Sequence, residues 1–293
     1  MAAEPTTRPA AAAGTVGLGD LTVNRMGFGA MRLTGRGIWG EPDDPERAKQ
    51  VLRRAIELGV NFIDTANSYG PEVAEKLIAE ALHPYPDDLV IATKGGLTRP
   101  GPGEWRRDGR PEALREALEG SLRRLRLERI DVYQLHSVDT TVPLEEQVGT
   151  LGELQREGKI RHIGLSNVDV RQLAQARRIV DVVSVQNRYN LGDRHSEGVL
   201  DAAERDGLAF LPWFPLGAGE LVTSTGRLAE VAASHGATPA QVALAWLLRR
   251  SPAVLHIPGT SSTEHLEENV AAAQLELSDA DFADLSRSGS AAL

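Results

Sequence analysis

Short apolar runs alternate with longer amphipathic stretches along most of this chain. The runs are VNFID, DLVIATK, IDVYQLH, IRHIGLS, VVSVQ, GLAFLPW and AVLHIP. Each is short and continuous, as a parallel strand buried on both faces would be. The stretches between them read as helices. In PERAKQVLRRAIELG, Val51, Leu52, Ala55 and Ile56 share one face, and Gly59 stands where a helix would stop. Leu114, Leu118, Leu122 and Leu125 form a similar stripe in PEALREALEGSLRRLRL. Thr238 with Gln241 has capping-box spacing and Pro239 occupies the first helical position, so ATPAQVALAWLLRR should begin a helix there.

Sustained β-α alternation predicts a parallel α/β fold. Counting GFGAM as the first strand gives about eight, the number that closes a (β/α)8 TIM barrel. An open doubly wound sheet would need G-x-G-x-x-G between a strand and a helix, and both GLGDLT and GFGAMR lack the third glycine. The stretch TVGLGDLT suggests a short N-terminal β-hairpin ahead of the barrel. Residues 1–14 are rich in Ala, Pro and Thr and read as a disordered tail, leaving residues 15–293 as a single domain.

Composition narrows the function. The 293 residues carry a net charge of -9 without a Lys/Arg run, so no nucleic-acid partner is expected. The absence of cysteine removes disulfides and thiolate metal sites. No segment has the roughly 18 unbroken apolar residues of a membrane span, and the N-terminus lacks the apolar core of a signal peptide. A cytoplasmic protein without membrane attachment is expected, as a monomer or small homo-oligomer. Only four lysines occur, Lys49, Lys76, Lys94 and Lys159, so a lysine inside an apolar run stands out.

In a barrel, catalytic groups lie at the C-terminal ends of the strands. VNFID closes on Asp64, VIATK on Lys94 and DVYQLH on His136, while Tyr69 follows in the loop after Asp64. Singly, such residues often cap a helix, snorkel or sit satisfied in a core. On successive strands they converge on one mouth.

The spacing D-T-A-N-S-Y with the later T-K and L-H resembles the active-site set of the aldo-keto reductase superfamily, and the likeness runs from Gly17 to Asn269. It implies a small-molecule carbonyl substrate reduced to an alcohol, with hydride taken from a nicotinamide. Tyr69 would donate the proton, Lys94 and Asp64 would pair beside it, and His136 would orient the carbonyl. A nearby ammonium would lower the phenol's pKa, and a carboxylate would keep that ammonium charged.

The resemblance also implies a cofactor set. Ser166, Asn167 and Gln186 would hold the carboxamide, and Trp213 would stack on its ring. Pro215, Leu216 and Gly217 follow in the segment beside the pyrophosphate, and Gly29, Ala30, Met31 and Asp64 are expected to contact the cofactor as well. In IPGTSSTEHLEENV, Gly259, Thr260, Ser261, His265, Glu268 and Asn269 would take the adenosine phosphate. Ser261 and Glu264 have capping-box spacing, placing a helix start near Ser261. NADP(H) is the expected cofactor; because Gly259 and His265 stand where many members carry Lys or Arg, NAD(H) is possible as well. The connection from 217 to 227 is too short for a long lid.

Trp39 and Trp105, in the loops GRGIWGEPDD and GLTRPGPGEWRRDG, are candidates for the substrate pocket. Other chemistries fit less well. A barrel glycosidase needs paired carboxylates where His136 and Trp213 stand. The seven histidines form no metal-ligand pair, so no metal is expected, and GLSNV is no G-x-S-x-G. A cofactor-binding redox sensor or auxiliary subunit on the same fold is the non-enzyme alternative.

Overall fold

A computed structural model describes residues 8–217, 219, 221 and 225–288. A hairpin of β1 (Thr15–Leu18) and β2 (Leu21–Asn24) precedes β3 (Phe28–Gly29). Then follow α1 (Pro45–Glu57), β4 (Phe62–Asp64), α2 (Val73–Leu82), β5 (Val90–Gly95) and the small hairpin β6 (Leu97–Thr98) and β7 (Arg106–Arg107). Next come α3 (Pro111–Leu125), β8 (Ile130–Leu135), α4 (Leu144–Arg156), β9 (Ile160–Ser166), α5 (Val170–Ala176), β10 (Val182–Arg188), α6 (Glu197–Arg205) and β11 (Ala209–Trp213). The chain ends with α7 (Arg227–Ser234), α8 (Pro239–Arg250), α9 (Thr263–Ala271) and α10 (Asp279–Ser288).

Seven strands form one parallel sheet in the order β11-β10-β9-β8-β5-β4-β3. Its two edges are joined through residues 253–258. Phe210 N donates to Ala253 O and Leu255 N to Phe210 O on one side; His256 N donates to Arg25 O and Gly27 N to His256 O on the other. AVLHIP therefore spans the two edges through the isolated bridges Phe210–Val254 and Met26–His256, without a regular ladder. GFGAM is likewise shorter than expected: after Gly29 the chain turns into a 3-10 turn, Ala30–Leu33.

Two apolar cores follow from strands buried on both faces. Inside the sheet, Phe62, Val90, Ala92, Val132, Ala209, Leu211, Leu255 and Ile257 pack with Leu18 and Val23 of the hairpin. That hairpin covers the N-terminal ends of the strands: Arg161 Nη2 donates to Asp20 Oδ2 at 2.7 Å, and Asn24 Nδ2 donates to Gly59 O at 2.8 Å. Outside, the helices bury their apolar stripes. Leu114, Leu118, Leu122 and Leu125 of α3 are all buried, each a contribution of about 1.5–3 kcal/mol. Thr238 and Gln241 complete the expected capping box on α8, and Gly59 leaves α1 with φ 89°.

One expectation fails at the N-terminus. Residues 8–14 are ordered against the barrel: Pro9–Ala13 forms a 3-10 turn in which Ala10 and Ala13 are buried, and Ala10 N donates to Leu58 O at 3.0 Å. Alanines with little surface of their own still fill a gap between helices. The first seven residues of the expected tail, and part of the 217–227 connection for which no long lid was expected, lie outside the described residues.

Candidate active site

With the hairpin covering one end of the strands, the other end carries a polar layer. Asp64 closes β4, Lys94 lies near the end of β5, Gln134 on β8 and Gln186 on β10. All four are buried. Lys94 Nζ donates to Asp64 Oδ2 at 2.6 Å, to Thr65 O at 2.9 Å and to the Tyr69 hydroxyl at 3.2 Å. The other carboxylate oxygen, Asp64 Oδ1, accepts from Gln186 Nε2 at 2.8 Å and Gln134 Nε2 at 3.0 Å. A lysine with no exposure is tolerable only because every donor contact is met and a carboxylate compensates its charge.

His136 follows β8 and stands edge-on to Tyr69, with ring centroids 5.8 Å apart. Ser68 Oγ lies 3.4 Å from His136 Nδ1. Burial, reinforced by the Lys94 charge, drives the imidazole well below its ordinary value, so it is neutral at neutral pH. Burial also pulls Lys94 down, but Asp64 and Tyr69 outweigh it and the net shift is upward. The phenol departs from the sequence expectation. Burial pushes Tyr69 up, and this exceeds the opposing pull of Lys94, so its pKa is raised rather than lowered.

Beyond β8 the strand ends pass into a second set of side chains. Asn167, at φ 58°, donates from Nδ2 to His136 O at 2.9 Å and accepts from Trp213 Nε1 at 3.0 Å. The left-handed backbone turns the Ser166–Asn167 pair toward the barrel mouth. The helix that follows, α5, is capped by Asp169, which closes a capping box with Gln172. Trp213 ends β11, with Arg188 Cζ 5.8 Å from its ring centroid.

These groups share one cavity of about 580 Å³. Asp64, Tyr69, His136 and Trp105 lie in its wall, as do Gly29, Met31, Ser166, Asn167, Gln186 and Trp213. Pro215, Leu216, Gly259, Thr260, His265, Glu268 and Asn269 extend it toward α9. Lys94 lies beneath, reaching it through Tyr69. Four further candidates lie outside the wall: Ala30 is buried, Trp39 packs on Arg99, and Gly217 and Ser261 do not line it. The α9 start is also corrected. Ser262, not Ser261, is its N-cap, accepting from His265 N at 3.3 Å, so the helix begins one residue later than its capping pattern suggested.

Three contributors were missed in the sequence. Gln134 lay unremarked inside a strand. Phe214, at φ 54°, was passed over beside Trp213, although it also lines the cavity. Arg32 carries no signal in the sequence, where the expected cation positions fall on Gly259 and His265; it lies in the cavity wall, and its Cγ is 3.7 Å from where a Cβ on Gly259 would stand.

The sequence matches the family model of the Aldo/keto reductase family over residues 25–289. It is 51% identical over 280 residues to an uncharacterized oxidoreductase of Schizosaccharomyces pombe, covering 96% of this chain and 91% of that one. It is 48% identical over 271 residues to pyridoxine 4-dehydrogenase of Escherichia coli, covering 90% and 94% respectively. Among solved structures, an aldo/keto reductase of Klebsiella pneumoniae in complex with NADP and acetate superposes with a TM-score of 0.80 at 30% identity, over 94% of this chain and 95% of that one. An ion pair buried under a tyrosine at the mouth of a parallel sheet thus coincides with a sequence match across nearly the whole chain, which belongs to the aldo/keto reductase family.

Proposed function

We propose that this protein reduces an aldehyde or ketone to the alcohol with NADPH, using Tyr69 as proton donor. The observation that carries the reading is the Tyr69 hydroxyl, facing the cavity beside neutral His136 and accepting from a lysine already bound to Asp64. Hydride delivered to a carbonyl carbon leaves negative charge on oxygen, which positioned donors must meet. Tyr69, held protonated by burial, supplies the proton. Lys94 then stabilises the phenolate. A neutral His136 ring with its proton on Nε2, the tautomer in which Nδ1 accepts from Ser68, would offer that proton to the same oxygen. Completeness of this set favours turnover over the sensor reading.

The cavity suits a dinucleotide. Gly29 and Gly259 press their backbones together so closely that a Cβ on either would stand 2.5 Å from a carbonyl oxygen, leaving a smooth wall. When bound, the nicotinamide would supply the hydride. Ser166, Asn167 and Gln186 offer amide and hydroxyl partners for its carboxamide, and the hydrogen bond from Trp213 to Asn167 fixes the indole for stacking. Thr260, His265, Asn269 and the α9 N-terminus would receive the adenosine phosphate. Arg32 adds the cation that Gly259 does not provide. On this reading residues 253–258 count as the eighth barrel strand.

The decisive assay is reduction of a panel of aldehydes, ketones and quinones with NADPH and NADH. The relative named pyridoxine 4-dehydrogenase makes pyridoxine and its 4-aldehyde the first pair to include. Tight NADPH binding with no turnover on any member would overturn the proposal.

A further inference from the structure

The two loops lining the substrate end meet at one side chain. Arg99 is 8% exposed, and its guanidinium donates to four backbone carbonyls: Nε to Glu104 at 2.9 Å, Nη1 to Ile38 at 2.9 Å and Ser68 at 3.4 Å, and Nη2 to Gly37 at 3.4 Å. Its carbon Cζ lies 3.9 Å from the Trp105 ring centroid and 5.4 Å from that of Trp39. Among the described residues it has no carboxylate partner. The Ser68 carbonyl immediately precedes Tyr69, and the Trp105 ring stands 6.4 Å, centroid to centroid, from His136. Trp105 is 40% exposed and lines the cavity.

Only a guanidinium can make this junction. Its donors radiate in one plane while both faces stay free for rings, whereas an ammonium is a compact head with three donors. Each joined segment has backbone bonds of its own, the β6–β7 hairpin in one and the Gly35–Gly40 turn with its Gly40 N to Gly70 O bond in the other, but among the described residues none of these bonds ties one segment to the other. One carries Gly35, Gly37 and Gly40, and the other Pro100, Gly101, Pro102 and Gly103. Without a shared anchor their conformational freedom would be costly to remove. Burying a cation with carbonyls but no counter-ion is itself unfavourable, and an apolar residue would serve mere packing better.

We propose that Arg99 is the positioning residue of the substrate end: it ties both loops to the Ser68 carbonyl and so holds Trp105 as a ring wall beside His136 for planar, unsaturated carbonyl compounds. This rests on the carbonyl-reductase reading above. The test uses the full chain with 4-nitrobenzaldehyde as probe. Arg99→Met should raise KM by about 10-fold, leave kcat within about 3-fold and leave the NADPH Kd unchanged. Amide exchange should quicken in both 35–41 and 97–107 but not in α8. Arg99→Lys should behave like Arg99→Met, and Trp105→Ala should reproduce the KM rise without quickening exchange in 35–41. Unchanged KM in Arg99→Met, full recovery in Arg99→Lys, or exchange that quickens throughout the protein would each overturn the proposal. If the unmodified protein binds NADPH but reduces no carbonyl, the functional reading fails; exchange then decides, coupled quickening upholding the tie and its absence removing it.

Discussion

Tyr69 and His136 are both held in their uncharged forms by burial, one with its pKa raised and the other with its pKa depressed. Neither group should titrate in the ordinary working range, so carbonyl reduction should hold level from about pH 6 to about pH 9 when kcat is followed at saturating substrate. Tyr69→Phe removes the proton and little volume. It should lower kcat by about 10³-fold while the NADPH Kd, from direct titration, stays near normal; retained turnover would sink the assignment. On the proposed reading, Arg32 and His265 would set the cofactor preference. Arg32→Gln should weaken NADPH binding about 10-fold while changing NADH little, since a salt-screened cation beside a phosphate contributes on the order of 1–2 kcal/mol. An equal loss for both would place Arg32 on the pyrophosphate instead. At this scale the sequence was legible where chemistry is unusual: Asp64, Lys94 and His136 each end an apolar run on an ionisable group. Gln134 and Arg99 were not, because their importance lies in partners 70 and 61 positions away for Asp64 and Ile38.

Among the elements, strands and helices with a clear period were readable, and segments ordered by their neighbours were not. Residues 8–14 have the composition of a tail, yet Arg25 N donates to Gly14 O at 2.9 Å and Ala10 is fully covered. Two backbone hydrogen bonds and two buried alanines amount to about 2 kcal/mol. Removing residues 1–14 should therefore lower Tm by about 2–6 °C in a melting experiment, without changing KM. No shift would show that the docked turn adds nothing. AVLHIP reads as one more strand by hydrophobicity, but its pairing is limited to isolated bridges between prolines 252 and 258. The hairpin β6–β7 escaped notice because two-residue strands leave no period to detect.

For the whole molecule, alternation of strand and helix was enough to foresee the parallel sheet and its polar end, while the joining of its edges depends on backbone contacts that no side-chain pattern reports. Buried histidines add a pH dependence. Burial first, and the Arg25 charge second, depress His256 from its ordinary 6.5 to about 3; His136 shifts the same way. Below 6.5 the unfolded chain binds protons on these rings and the folded chain does not. Stability present above 6.5 is thus lost as pH falls, for His256 toward about 3, with a slope on the order of 1 kcal/mol per pH unit from each ring. Urea midpoints between about pH 6.5 and about pH 5 should fall accordingly, and His256→Gln should flatten the slope. The join at 253–258 has a consequence of its own. It works as a clasp on a hoop, fastened by a few backbone hydrogen bonds at each edge and by Arg25, whose guanidinium reaches Val254, Leu248 and Ser251 carbonyls. A hoop springs at its clasp, and this one runs straight into Gly259, Thr260 and α9. Filling the groove should lock the ring: NADPH should slow amide exchange at Gly27, Leu255 and His256 more than along β8 and β9, making cofactor occupancy and the closure of the cylinder a single equilibrium.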